Sequence, residues 1–185
     1  MGDIFKIAKD KAGVTDSEID SILDGVIKDS GKQLKKILLL PPDFTRMHSG
    51  AGKITAMIYK KLKDSVQVDI MPALGTHEPM TKEEADVFFE GVVPYDKIIP
   101  HRWRDDVVKI GEVPSDFVHE VSEGLIDEAI PVEVNKHILD KSYDLILSIG
   151  QVVPHEVVGM ANYSKNVLVG CGGKDTINKS HILGA

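Results

Sequence analysis

The run KKILLLPP, residues 35–42, narrows the folds open to this chain more than any other stretch. Its unbroken apolar centre reads as a strand covered on both faces, stopped by Pro41 and Pro42. Helical spacing precedes it in TDSEIDSILDGVIKDSG, where Thr15 can cap and Gly31 can terminate. A helix from about Gly50 to Asp64 is expected next, then the strand VQVDIMPALG. TKEEADVFF opens with a capping box, Thr81 to Glu84. VVKIGEVPSDFVHEVS reads as a hairpin, its β-rich arms joined around Pro114 and Ser115. Alternation then resumes: strand AIPVEVN, a short helix near KHILDKS, strands YDLILSIG and NVLVG, and a helix starting near Asp175. Short apolar strands alternating with helices predict an α/β fold: a layered, largely parallel sheet with helices on both faces, plus a hairpin.

Composition sets the outer limits. The 185 residues are 42% hydrophobic, enough for one domain with a substantial core. With 22 Lys plus Arg against 29 Asp plus Glu, the net charge is −7, and the basic face that nucleic acid requires is missing. One cysteine, Cys171, cannot make an internal disulfide, so a reducing compartment is the simplest home. The N-terminal MGDIFKIAKDKAG lacks the apolar core of a signal peptide and has Lys6 where a myristoylation motif wants Ser or Thr. No run approaches the roughly 20 apolar residues of a membrane span. The expectation is a soluble, cytoplasmic protein without a nucleic-acid or membrane partner.

Ligands of open α/β sheets bind beyond the carboxyl ends of the strands. PPDFTRMH follows the first strand, GTHEP the second and QVVPHE a later one, so Asp43, Arg46, His77 and His155 fall on one edge. Phosphate-loop motifs fail: Met47 and Leu168 stand where their first glycines belong. The segment Ser49 to Lys53 keeps a weaker reading, backbone N–H groups approaching an anion at a helix start. Cys171 reads as a small buried residue beside a tight turn. His48, His119 and His137 have no partner pattern, and HRWRDD at 101–106 reads as mutually paired charges around a half-buried Trp103. His77, His155, Lys165 and His181 differ as a set. Zinc-ligand spacing and GxSxG are both absent. What remains is a lysine able to bind a cofactor covalently, one histidine able to ligate a metal and two able to move protons.

Four motifs in order, DFTR, GTH, PHEVVG and SKNVLVGCGGKDTINKSH, resemble the N-terminal half of the lactate racemase family, whose members carry a nickel-pincer nucleotide. The resemblance runs from about Leu38 onward. It implies that Lys165 joins the pyridinium ring of that cofactor (a nickel pyridinium bis-thiocarboxylate mononucleotide) through a thioacyl linkage, and that His181 ligates the nickel. It implies that His77 and His155 exchange the hydroxyl proton of a small 2-hydroxy acid while hydride passes between substrate and cofactor. Asp43, Thr45 and Arg46 fall on a strand-end motif near cofactor and substrate, where a guanidinium can hold a carboxylate bidentately. The glycines of GCGG would let the backbone turn tightly beside a bulky group.

Two departures stand out. Many members have a glycine-rich S-G-G-x-K run before the lysine, where this chain has Asn162 and Tyr163. Many have D-D-x-T-R, where this chain has Pro42-Asp43. Both point to a substrate other than lactate itself. Family enzymes are about twice as long, so residues 1–185 read as the N-terminal cofactor-binding domain of a two-domain isomerase, inactive alone. Its partners would be a 2-hydroxy acid, the cofactor maturation enzymes and its own C-terminal domain. Two other readings use the same edge: a nickel-independent nucleotide-binding α/β enzyme, or a non-catalytic family member.

Overall fold

A computed structural model describes residues 3–31 and 33–185. Met1 and Gly2, which open the segment read against myristoylation, lie outside the described residues. Strand β1 (Lys36–Leu40) is central, with β2 (Gln67–Ile70) and β5 (Leu145–Ser148) parallel to it in the order β2-β1-β5. Ile37, Leu38, Leu39 and Leu40 are all fully buried. Strand side chains alternate between faces, so β1 needs a cover on each.

Ile37 and Leu39 pack under α1 (Asp16–Asp29), α2 (Ala51–Leu62) and α3 (Lys82–Phe88), through Leu23, Ile58, Tyr59, Ala85 and Phe88. Leu38 and Leu40 pack with Met71, Cys171 and, from α5 (Tyr163–Leu168), Val167. Burying a large aliphatic side chain contributes roughly 1.5–3 kcal/mol, so these four residues of β1 are the fold's densest source of stability. The expected capping box of Thr81 with Glu84 forms, and Thr15, expected to cap, forms one as well with Glu18. Cys171 is fully buried, and burial pushes its thiol up to about 12.

Three segments differ from the sequence reading. VVKIGEVPSDFVHEVS is a strand, β3 (Val107–Val113), followed by a helix, α4 (Ser115–Val121). Pro114 has no N–H to continue a ladder, and its carbonyl accepts from Val118 N–H, starting the helix that buries Val118. The partner of β3 is β4 (Ile130–Asn135), antiparallel with a register shift between Lys109 and Gly111, so AIPVEVN lies outside the parallel sheet. NVLVG is not a strand either; its first residues belong to helix α5. Its β-branched content suggested a strand, but the Asn166 amide donates to Leu40 O at 2.8 Å and Ser148 Oγ at 3.0 Å, which fixes a helical turn against the sheet.

The HRWRDD cluster is structural. Arg102 and Lys136 hold Asp106, whose carboxyl is drawn down to about 2, chiefly by Arg102, and Arg104 stacks on Trp103. Buried His101 donates from Nε2 to Gly172 O and accepts from Asn135 Nδ2, which ties the end of β4 to the GCGG turn. Helix α6 (Lys174–Gly184) is docked on β4 by Thr176, whose hydroxyl donates to Pro131 O and accepts from Glu133 N–H. No described helix is long and apolar enough to cross a membrane.

The Ser49–Lys53 segment is engaged within the chain. Lys53 pairs with Asp16 at 2.7 Å, and a Cβ on Gly52 would lie 2.0 Å from the Phe88 carbonyl oxygen. That glycine is therefore a packing requirement between α2 and α3. Gly52→Ala should lower stability by about 1–3 kcal/mol despite alanine's better helix propensity. Urea denaturation checks this: the midpoint should fall at unchanged slope, and an unchanged midpoint would mean the two helices do not meet there.

Candidate functional site

A cleft of about 430 Å3 lies beyond the carboxyl ends of the parallel strands. Its lining includes all seven residues singled out in the sequence: Asp43, Thr45, Arg46, His77, His155, Lys165 and His181. Each arrives by its own route. The chain leaves β1 through Pro41 and Pro42 into a 3-10 turn, Phe44–Ser49, which carries Arg46 and is capped by Asp43. It leaves β2 through a loop whose Gly75 N–H donates to Gly170 O, bringing His77 to the cleft. After β5 come two short strands, β6 (Pro154–His155) and β7 (Gly159–Met160), and the turn between them begins at His155. Lys165 sits on α5 and His181 on α6.

The three histidines are held by different partners. His181 donates from Nδ1 to Ile177 O, one helical turn back, at 2.7 Å. Its Nε2 is then the nitrogen with the free lone pair, the arrangement in which a histidine ligates a metal. His155 accepts at Nδ1 from the backbone N–H groups of Val157 and Val158, at 3.1 and 3.2 Å, so in the neutral ring the proton is on Nε2. His155 and His181 meet edge to face with ring centroids 6.0 Å apart. His77 is bonded through Nδ1 to Asp43 Oδ2 and leaves more than half its side chain exposed.

The electrostatics are dominated by cations. Burial and then the Arg46 guanidinium push the Lys165 amine below its usual range, which raises the fraction of neutral, nucleophilic amine at a given pH. His155 is lowered by burial first, then by Lys165. Among the described residues neither Arg46 nor Lys165 has a salt-bridge partner, and the carboxylates of Glu156 and Asp43 act on Lys165 only at longer range, so this corner of an acidic protein presents partly offset positive charge to a ligand. An anion fits it. Among the described residues no group of three or more His, Cys, Asp or Glu is arranged to hold a metal by itself.

The glycines of the GCGG turn are close-packed. A Cβ on Gly170 would lie 2.7 Å from both Ala73 Cβ and Asn166 O, and one on Gly172 would lie 2.3 Å from Leu168 O. The tight turn is required by packing of the chain on itself. Asn162 and Tyr163, which replace glycines of the resembled motif, both have positive φ, 55° and 53°. The sequence reading overlooked Asn166, taken as part of a strand, and His48, which lines the cleft two positions after Arg46. An asparagine one residue after the candidate lysine was the available signal for the first.

A family model described as the lactate racemase N-terminal domain matches residues 13–185. Among solved structures, the chain is similar to a Thermotoga maritima protein determined by a structural genomics consortium. The identity is 25%, over 92% of this chain and 41% of that one, with a TM-score of 0.78. The chain thus spans about two-fifths of that protein's length. No curated protein matches it.

A left-handed conformation costs a non-glycine residue about 1–2 kcal/mol, partly offset by glycine's greater entropy when unfolded. Tyr163 is exposed, so Tyr163→Gly should raise stability by about 1 kcal/mol. A lower urea midpoint in that variant would show that the backbone before Lys165 is not left-handed.

Proposed function

Because the chain belongs to the lactate racemase N-terminal domain family, we propose that its cleft binds a nickel-pincer nucleotide and racemises or epimerises a 2-hydroxy acid. The observation that carries this reading is the convergence of a half-buried Lys165 with a His181 whose Nε2, like the Lys165 amine, has no partner among the described residues. Such a lysine suits a thioacyl linkage, because its amine is nucleophilic once neutral. Such a histidine suits nickel, because a backbone carbonyl already holds its other nitrogen. When bound, the group supplies the acceptor and donor for hydride.

The chain's own residues account for the rest. Arg46, exposed and with no ion pair among the described residues, can hold the substrate carboxylate by a bidentate contact. His77, on the loop after β2, and His155, at the end of β6, reach the cleft from different strands, so they can serve a hydroxyl presented by either enantiomer. At rest His77 is held by a carboxylate and His155 by two N–H groups, which suits a base and an acid respectively. We further propose that this is the cofactor-binding domain of a larger enzyme, supported by the relative more than twice as long. Its partners would be the 2-hydroxy acid, the maturation enzymes and a C-terminal domain. A buried, unpaired Cys171 fits a cytoplasmic location.

Two experiments on full-length enzyme test the reading. Intact mass of protein matured with the cofactor-assembling enzymes should show an adduct that Lys165→Ala abolishes. His181→Ala should lose nickel while keeping the adduct. An adduct mapped to Lys174 or Lys179, or unchanged nickel in the histidine variant, would refute the assignments; an adduct without nickel would favour a nickel-independent nucleotide enzyme. His77→Ala or His155→Ala should each cut racemisation by about 10²–10⁴-fold with the adduct retained. Near-normal turnover in either variant would reject that histidine, and no turnover in the loaded wild type would favour a binding role.

A further inference from the structure

We propose that Asp43 is a positioning residue that acts through His77, fixing its imidazole as the Nδ1–H tautomer and leaving Nε2 to accept a proton. The proposal rests on reading His77 as a proton-transfer residue. It departs from the role that the strand-end motif suggested for Asp43, contact with cofactor or substrate.

Both oxygens of Asp43 are engaged inside the chain. The residue is 6% exposed and caps the 3-10 turn that follows β1. Its Oδ1 accepts from Thr45 N–H at 2.9 Å and from the Thr45 hydroxyl. Its Oδ2 meets Nδ1 of His77. An ionised carboxylate can only accept, so the shared proton belongs to the ring. A neutral imidazole protonated at Nδ1 has its lone pair at Nε2, and no described residue bonds to that nitrogen. Among the described residues no other side chain bonds to the ring: its side chain is 57% exposed, while that of Asp43 is 9% exposed. The buried carboxylate is thus the fixed element and the exposed imidazole the oriented one. The same logic runs in serine hydrolases, where an aspartate fixes the tautomer of a histidine that does the proton transfer.

The geometry makes the isosteric variant informative. In Asp43→Asn the Thr45 backbone N–H still needs an acceptor, which pins the amide oxygen at the Oδ1 position. The amide NH2 then faces Nδ1 of His77 and can only donate. The ring must answer by moving its proton to Nε2, so one atom exchanged in Asp43 reverses the tautomer without removing a hydrogen bond.

Long-range 1H–15N spectra of the cofactor-free protein, labelled at histidine and recorded at about pH 8 where an ordinary histidine is neutral, read this directly. His77→Gln identifies the signals. Wild type should show Nδ1 protonated and Nε2 unprotonated, and Asp43→Asn should show the reverse. A wild-type ring protonated at Nε2 overturns the proposal, and so does a variant ring unchanged from wild type. Should the variant fail to fold, the wild-type spectrum decides alone. In matured enzyme, Asp43→Asn should keep the Lys165 adduct while turnover falls by no more than His77→Ala lowers it, about 10²–10⁴-fold. Loss of the adduct with an unchanged tautomer would return Asp43 to the cofactor. Expected tautomers in a protein that racemises nothing would uphold the role of Asp43 and refute the functional reading instead.

Discussion

The carbonyl of Leu40, the last of β1, accepts two hydrogen bonds: one from Ile149 N–H just past β5, at 3.0 Å, and one from the Asn166 side chain at 2.8 Å. Through them the strand that launches Asp43, the strand that leads to His155 and the helix that carries Lys165 meet at one atom. Leaving a buried acceptor unsatisfied costs about 1–3 kcal/mol, so this junction resists drift. The same Asn166 amide also donates to Ser148 Oγ, and the Ser148 hydroxyl donates to Asn162. Lys165 thus lies between two residues bonded to the sheet edge, on a helix too short to be stable alone. Its position is inherited from β1, whose own position follows from burial on both faces.

Placement alone would not make the cleft chemically specific. That comes from the partners of its histidines. A carbonyl holds His181 at Nδ1, a carboxylate holds His77 at Nδ1, and two backbone N–H groups hold His155 at the same atom. The first two partners accept and the third donates, so three identical side chains are set in two tautomers. Sequence spacing alone cannot distinguish them, because the partners lie on the i−4 carbonyl, on a loop from another strand and in a turn. What separates the roles proposed for them, metal ligand, base and acid, is what stands behind each ring.

This is also where the sequence ceases to be legible. The run ILLL announced a doubly covered strand because no other placement buries four consecutive apolar residues in so short a segment. Thr15 and Thr81 announced helix starts because a capping box is local chemistry. The edge carrying His77 and His155 was legible because strand, proline or glycine, and polar residue recur in that order. NVLVG was not: its β-branched residues favour a strand, and only the bonds from Asn166 to Leu40 and Ser148, distant in sequence, make it helical. PSDFVHEVS failed for the opposite reason, since Val118 repays helical geometry only once it is buried. The engaged oxygens of Asp43 were equally hidden, because a motif residue beside a site is naturally read as touching the ligand.

The two departures from the resembled motif acquire a physical meaning from the backbone. Asn162 and Tyr163 occupy the conformations that glycine would adopt freely, and each such residue costs of order 1–3 kcal/mol unless its surroundings hold it. Asn162 is held: its side chain accepts from Ser148 Oγ, and it lies so close to Gly150 that a Cβ there would come within 2.9 Å. Gly150 is therefore the complement of Asn162. A side chain where the motif has glycine needs a missing side chain across the strand end. Tyr163 has no such partner among the described residues and stands 74% exposed. Nothing among the described residues offsets its strain, and it lies two positions before the lysine proposed to carry the cofactor. Of the two departures it is therefore the one whose exposed side chain is not engaged by the strand end that holds the other.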